Sequence, residues 1–137
     1  MYFSTSKTEK MNKNIMAWGA AFALTAVILG SFGAHTLKEL LSSNQLGSFE
    51  TGVRYQMYHG IVLLFIGFAF DKIHKPDLIS KLFASGTILF SFSIYLLNIQ
   101  ELIGASLSFL GPITPIGGVL LIAGWFVFLL SILKEIK

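Results

Sequence analysis

Long runs without a charged residue dominate this chain and restrict what it can fold into. The stretch from Asn14 to Leu37 holds 24 residues without Asp, Glu, Lys or Arg, and the stretch from Leu82 to Gln100 holds another 19. A third run extends from Leu102 to Leu133. Since about 20 apolar residues in a helix cross the hydrocarbon core of a bilayer, these runs predict an all-α membrane protein. Charged residues make up 12% of the chain, about half of the share in a soluble domain, which favours the same conclusion.

Four membrane-spanning helices are predicted, because 137 residues leave room for about four spans and for no separate soluble domain. The second begins near Ser48, and Glu50 and Arg54 then lie in its outer turns. The predicted segments are a tail at residues 1–13, spans at about residues 14–35, 48–70, 82–100 and 115–133 within a transmembrane domain from 14 to 133, and a C-terminal segment at 134–137. A signal peptide is the alternative for the first run, but its apolar part is longer than a usual signal sequence and further spans follow.

A short helix in the plane of the membrane is predicted between the first and second spans, at about residues 36–47. Leu37, Leu40 and Leu41 share one helical face, whereas Lys38 and Glu39 lie off it, a pattern typical of an interfacial helix. The first span also repeats small residues at every fourth position, which favours close packing against another helix. Those residues are Ala26, Gly30 and Ala34. The predicted fold is a bundle of four transmembrane helices with one interfacial helix.

The basic residues predict how the bundle is oriented. Four spans place the N-terminal tail, the middle loop and the C-terminus on one side of the membrane. That side carries eight of the ten Lys and Arg residues, and only Lys38 and Arg54 fall on the other side. Because basic residues concentrate in cytoplasmic loops, both termini are predicted to lie in the cytoplasm.

Polar residues cluster in the second span, where they are costly beside lipid and so are either paired or kept for a task. At 100° per residue, one sector holds Gly52, Tyr55, Gln56 and His59, and another holds Glu50, Arg54 and Tyr58. The Glu50–Arg54 spacing of four residues favours a structural ion pair. The alternative is an anion or carboxylate site built on Arg54. The candidate polar site consists of His35, Glu50, Arg54, Tyr55, Gln56, Tyr58 and His59.

Two histidines, His35 and His59, are predicted to lie on the same side of the membrane, toward the outer leaflet. With Glu50 they would be a chemically acceptable set for zinc or iron, but they come from separate segments and no HxxxH or HxxE spacing is present. Hydrogen-bonded packing histidines are favoured, and a proton relay or pH sensor is the other alternative. The chain has no cysteine, and no metal or other cofactor is predicted.

The motif GPITPIGG punctuates the last uncharged run. Thr114 fits an N-cap with Pro115 at the first helical position, which favours a tight turn whose glycines permit close helix contact. The alternative is a broken helix whose N-terminus attracts an anion or lines a transport site. The residues of this helix-break motif are Gly111, Pro112, Thr114, Pro115, Gly117 and Gly118. No P-loop, GxSxG, HExxH or dinucleotide-binding fingerprint occurs in the chain, so no enzyme is predicted.

Nearly the whole chain, from about Met11 to Leu133, resembles a known family. The resemblance rests on four stretches in this order: GSFGAHTLKELL, FETGVRYQMYHGIVLL, GTILFSFSIYLL and LGPITPIGGVLLIAGW. They are similar to the small bacterial membrane proteins of the domain-of-unknown-function 423 family, and a related small transmembrane protein occurs in animals. The resemblance implies a four-helix integral protein of the bacterial cytoplasmic (inner) membrane and carries over no activity. The matching positions are Gly33, Ala34, His35, Phe49, Glu50, Thr51, Arg54, Tyr55, Gln56, His59, Gly111, Pro112, Pro115 and Gly117.

Three functions are weighed for such a chain. The favoured one is a non-enzymatic structural or accessory membrane component, with the lipid bilayer and a second copy or a larger membrane complex as partners. The first alternative is a small channel or transporter that uses Arg54, Gln56 and His59. The second is a membrane-embedded metal-binding protein or enzyme that uses His35, Glu50 and His59. Because Ile61 to Phe70 are almost wholly apolar, a polar pocket toward the outer leaflet is predicted instead of a pore. Nucleic acid is excluded, since no basic patch with interleaved aromatics exists.

Overall fold

Four long helices make up most of the described part of the chain. The computed structural model describes residues 9–135, and its helices are α1 (Lys13–Leu40), α2 (Ser43–Phe68), α3 (Pro76–Ile99) and α4 (Ile113–Glu135). Single 3-10 turns follow α2 at Phe70–Lys72 and precede α4 at Ser108–Leu110. Residues 9–135 contain no β-strand. The prediction of an all-α fold is therefore confirmed.

Within the described residues, three segments are long and apolar enough to cross a membrane. They are α1, α3 and the segment Ser108–Lys134, which contains nearly all of α4. The 26 residues of α2 are enough to span a bilayer by length, but this helix also carries Glu50, Arg54, Gln56 and His59. Both α1 and α3 contain one widened π turn, at Gly33–Leu37 and at Ile88–Phe92, and each continues as a helix beyond it.

The separate interfacial helix predicted at about residues 36–47 does not form. α1 runs on through its π turn to Leu40, and α2 begins only three residues later, at Ser43. The physical reason is a capping box: the Ser42 hydroxyl accepts from the Gln45 backbone N–H at 3.2 Å, and the Gln45 side chain accepts from the Ser42 N–H at 3.0 Å. In addition, Leu37 is buried beside Phe49 and Tyr95 instead of lying at a membrane surface.

Two other helix starts also lie before their predicted positions. α3 begins at Pro76, ahead of the uncharged span predicted from residue 82, because proline is well suited to the first helical turn and polar Asp77 continues it. α4 begins at Ile113, so Thr114 is inside the first turn and is not the N-cap. The Thr114 hydroxyl lies 2.6 Å from the Ser93 hydroxyl of α3. Pro115 is still tolerated there, because the first backbone N–H groups of a helix have no intrahelical partner.

α1 and α2 pack antiparallel along their whole length. At one end the Asn12 backbone N–H donates to the Gly67 carbonyl at 2.8 Å. Near the middle the two backbones touch at glycine: a Cβ added to Gly19 would lie 2.6 Å from the Gly60 carbonyl oxygen. At the other end Gly33 faces the ring of Phe49. Small residues allow this approach, as they do between membrane helices in general.

The second helix pair consists of α3 and α4, which meet at Gly86, Gly117 and Gly124. Gly86 faces Leu121, and Gly124 faces Phe83. α2 joins the first pair to the second, and the main apolar core forms where it meets α1, α3 and α4. That core contains Phe22, Leu63, Ile66, Ile79, Phe83, Leu121 and Phe128.

Candidate functional site

Gln56 is the centre of a polar network inside the bundle. Its side chain is fully buried, with 0% exposure. Its amide nitrogen donates to the Phe22 carbonyl at 2.9 Å and to the Thr25 hydroxyl at 2.6 Å, and its amide oxygen accepts from the Tyr95 hydroxyl at 2.8 Å. These bonds connect α2 to α1 and to α3. A buried amide without partners would cost several kcal/mol in an apolar medium, so the network makes Gln56 tolerable there.

Tyr95 reaches Gln56 because the chain has glycine at position 52. A Cβ added to Gly52 would lie 2.7 Å from a ring carbon of Tyr95. The same contact is held by Ser91, whose hydroxyl donates to the Gly52 carbonyl at 2.8 Å. The Tyr95 ring also packs on Phe49, with 4.9 Å between ring centroids. Gly52 therefore allows α2 to pack closely against Ser91 and Tyr95 of α3.

His59 lies one turn further along α2 and bonds to the fourth helix. Its side chain is 3% exposed, with Nδ1 2.7 Å from the Tyr55 carbonyl oxygen. The Trp125 indole N–H of α4 lies 3.0 Å from its Nε2. Because an indole N–H can only donate and a carbonyl can only accept, this geometry requires the proton on Nδ1 and a neutral imidazole. His59 is thus a hydrogen-bonded packing histidine in this structure.

A lateral groove opens beside His59, between α2, α3 and α4. Its volume is about 280 Å³, and its polar members, His59 and Trp125, bond to each other. The other lining residues are Tyr55, Phe90, Gly118, Leu121 and Ile122. At 1.5 Å per residue, Gln56 lies about 20 Å along α2 from Ser43 and about 18 Å from Phe68. The polar groups of α2 therefore lie near the middle of the helix, because α2 begins at Ser43 instead of near Ser48.

The charged residues of the predicted site lie elsewhere and do not form the expected ion pair. Glu50 and Arg54 are both exposed, and Arg54 donates to the Thr51 hydroxyl at 3.1 Å. Within residues 9–135 the only ion pair joins Lys72 and Glu9, at 2.7 Å. Exposed pairs contribute little and require two long side chains to be ordered, which is why the spacing of Glu50 and Arg54 alone did not determine a contact.

His35 and Tyr58 are also outside the polar network. His35 is exposed in the π turn of α1, and Tyr58 is 53% exposed. The part of the chain that the structure describes has no group of three His, Asp or Glu placed to hold a metal ion. In this geometry His35, Glu50 and His59 are therefore not placed to share one metal ion. Both nitrogens of His59 are already occupied.

Sequence reasoning missed three members of the network: Thr25, Tyr95 and Trp125 as partners of α2. Thr25 and Trp125 are single polar groups in apolar runs, and Tyr95 stands among serines that give no indication of its partner. The signal that could have found them is the amide of Gln56 itself, which needs several partners when it is buried.

The helix-break motif is placed at the start of α4, where Gly117 is buried against α3 and Gly111 and Pro112 form the preceding turn.

Comparison with known proteins agrees with the resemblance seen in the sequence. Residues 29–118 match the family model described as a protein of unknown function (DUF423). The UPF0382 membrane protein YwdK of Bacillus subtilis is 38% identical over 119 residues, which cover 85% of this chain and 93% of that protein. A UPF0382 membrane protein of Staphylococcus epidermidis is 40% identical over 117 residues, which cover 85% and 92%.

No solved structure matches the chain. The bacterial relatives are named membrane proteins, and three segments here are apolar enough to span a membrane. The family match covers most of the chain, and the relatives align over nearly all of their own length. The protein therefore belongs to the DUF423 family, a family of bacterial membrane proteins of unknown function.

Proposed function

We propose that this protein is a non-enzymatic structural or accessory component of the bacterial cytoplasmic membrane, with four spans and both termini in the cytoplasm. The observation that carries the proposal is the use of the interior polar groups. Gln56, Tyr95 and His59 are bonded to side chains and carbonyls of neighbouring helices. They hold the bundle together, which leaves its outer surface to exert the function on lipid, on a second copy or on another membrane protein.

The assignment of α2 as a fourth span is supported by its packing. It contacts α1 at both ends and in the middle, from the Asn12–Gly67 hydrogen bond to the Gly33–Phe49 contact. If α1 crosses the bilayer, a helix of 26 residues antiparallel to it over the same length crosses as well. Gln56 and His59 are among the polar residues that lower the mean hydropathy of α2. Both are buried and face other helices instead of lipid.

The proposed orientation is supported by where the basic residues gather. The Lys10 N–H donates to Asp71, and the His74 N–H donates to the Ser131 hydroxyl. These contacts bring the start of α1, the α2–α3 loop and the end of α4 to one end of the bundle. The lysines at that end are Lys10, Lys13, Lys72, Lys75, Lys81 and Lys134. Lys38 and Arg54 lie toward the other end, so the positive-inside rule favours a cytoplasmic location for both termini.

The test is reconstitution of the purified full-length protein into liposomes. We expect the flux of protons, potassium ions and small fluorescent solutes to equal that of protein-free liposomes. We also expect in vivo cross-linking to trap the chain beside itself or another membrane protein. Flux above the protein-free level that is lost on His59→Phe would overturn the proposal and establish the channel or transporter alternative.

A further inference from the structure

A cleft of about 310 Å³ lies between α1 and α3, at the lysine-rich end of the bundle. It is distinct from the groove beside His59, which is formed by α2, α3 and α4. Asn12, Asn14 and Trp18 line it on the side of α1, and Asp77, Ser80 and Lys81 line it on the side of α3. Leu63 of α2 also lines it. The cleft therefore joins polar side chains to the apolar surface of the bundle.

The α3 wall of this cleft presents opposite charges at a fixed spacing. Asp77, Ser80 and Lys81 are three and four residues apart, so they share one face of the helix. Asp77 and Lys81 are exposed, and neither forms an ion pair within residues 9–135. At this spacing the Cβ atoms of Asp77 and Lys81 lie about 6 Å apart. A carboxylate and an ammonium group are thus both available to a ligand. This arrangement complements a ligand that carries one positive and one negative group.

Ser80 gives a second and independent indication of a ligand. Its side chain is 6% exposed, and its hydroxyl has no hydrogen-bond partner in the described part of the chain. A buried polar group without a partner is destabilising. Ser80 lines the cleft, but its hydroxyl oxygen is closed to solvent, so a ligand in the cleft supplies the missing bond once the side chain changes rotamer.

The cleft continues into an apolar trough on α1. Asn14 and Trp18 line both the cleft and a neighbouring hollow of about 430 Å³, whose other lining residues are Ala17 and Ala21. Trp18 is half exposed, and tryptophan is enriched where a membrane meets water. Polar and charged groups at one end with an apolar trough beyond them fit an amphiphile, not a small soluble ion.

We propose that this cleft binds a zwitterionic phospholipid of the phosphoethanolamine class. The ammonium group of the lipid lies against Asp77, its phosphate lies against Lys81 and Ser80, and an acyl chain follows the trough at Ala17 and Ala21. A purely anionic headgroup is disfavoured because it would place negative charge against Asp77. The inference rests on the proposed orientation only in that this end of the bundle must lie at a membrane surface.

The experiment measures lipid binding by the purified full-length protein in a neutral detergent. Dihexanoyl phosphatidylethanolamine and dihexanoyl phosphatidylglycerol are titrated separately, and the half-saturating concentration is taken from the rise in melting temperature. The variants are Asp77→Asn, Ser80→Ala and Lys81→Gln. The controls are Ser85→Ala, whose hydroxyl bonds to its own helix at the Lys81 carbonyl, and Lys134→Gln, which removes a cation from α4. Circular dichroism and gel filtration establish that each variant is folded.

We expect the wild type to bind the ethanolamine lipid more tightly than the glycerol lipid. Asp77→Asn should abolish this preference, and Lys81→Gln should weaken both lipids about fivefold, the size of effect that one charged contact produces at a partly exposed site. Ser80→Ala should weaken both lipids less, and the two controls should match the wild type.

Glycerophosphoethanolamine, which has the headgroup and no acyl chains, separates a lipid from a soluble zwitterion. We expect it not to compete at the concentration that saturates the lipid. Equal binding of the two lipids by the wild type, or wild-type binding by folded Asp77→Asn and Lys81→Gln proteins, would overturn the site. Equal competition by glycerophosphoethanolamine would overturn the assignment of a lipid. These results are independent of liposome flux, so the inference and the proposed function fail separately.

Discussion

Replacing Gln56 with Leu removes the amide that connects three helices and keeps a side chain of similar volume. The change deletes the bonds to the Phe22 carbonyl and to the Thr25 and Tyr95 hydroxyls. Hydrogen bonds between membrane helices contribute about 0.6 kcal/mol each on average and at most about 1.7 kcal/mol. Three such bonds give about 2 kcal/mol, so we expect Gln56→Leu to lower the free energy of unfolding by about 2 kcal/mol.

About half of this loss should come from the bond to Tyr95. Thr25 still donates to the carbonyl of Ala21 within α1 when Gln56 is gone, whereas the Tyr95 hydroxyl loses its bond to the Gln56 amide oxygen. Tyr95→Phe should therefore lower the free energy of unfolding by about 1 kcal/mol, as expected for one buried hydrogen bond. The double variant should cost less than the sum of the two single variants, by about 1 kcal/mol, because both remove the same bond.

The assay is reversible unfolding in mixed micelles with increasing dodecyl sulfate, followed by far-ultraviolet circular dichroism and tryptophan fluorescence. Tyr58→Phe is the matched control, since Tyr58 is on the same helix as Gln56 but is 53% exposed. Its effect should stay within about 0.5 kcal/mol. If Gln56→Leu unfolds at the same detergent fraction as the wild type, or if its effect and that of Tyr95→Phe simply add, the network does not connect the helices as described.

Four further results are expected. Gly60→Leu should abolish the folded fraction in detergent, because even a Cβ at Gly60 would lie 2.9 Å from the Gly19 carbonyl oxygen; Gly47→Leu, which faces open space, should fold normally. Glu50→Ala and Arg54→Ala should be additive in dodecyl sulfate unfolding to about 0.5 kcal/mol, and a coupling above about 1 kcal/mol would show that they pair. Trp125→Phe should lower the free energy of unfolding by about 1 kcal/mol, through loss of its bond to His59, and should cost less in a His59→Phe background, where that bond is already absent. Reporter fusions after Lys75 and Lys137 should report cytoplasm and one after Asn44 the outside; a cytoplasmic signal at Asn44 would contradict the four-span topology.

Attachment of the N-terminal segment to the α2–α3 loop is a feature that the hydropathy pattern does not predict. The Glu9 carboxylate accepts a hydrogen bond from Lys72 and attracts its charge, which raises the pKa of the Lys72 ammonium group. The Lys10 N–H donates to Asp71 at 3.2 Å, and the Asn12 N–H donates to Gly67 at 2.8 Å. The two side-chain contacts are exposed and contribute little to stability, but together these bonds set where α1 begins relative to the loop.

The amino-acid sequence by itself determined that this is an all-α membrane protein. The free energy of transfer into hydrocarbon is a sum over consecutive residues, so uncharged runs such as Asn14 to Leu37 identify membrane helices without knowledge of their neighbours. The family resemblance was also visible in the sequence, because its motifs are contiguous stretches. At α2 the same sum is lowered by Gln56 and His59, although both side chains face protein.

Only the tertiary structure decided which polar groups meet. The helical period correctly placed Gly52, Gln56 and His59 on one face, but their partners Thr25, Tyr95 and Trp125 lie 31, 39 and 66 positions away in the chain. Conversely, Glu50 and Arg54 have the right spacing for a pair, yet Arg54 bonds to Thr51. Hydrogen bonds require a few tenths of an ångström and a suitable angle. The rotation and depth of each helix against the others control both, and contacts such as Gly19 with Gly60 set that rotation and depth.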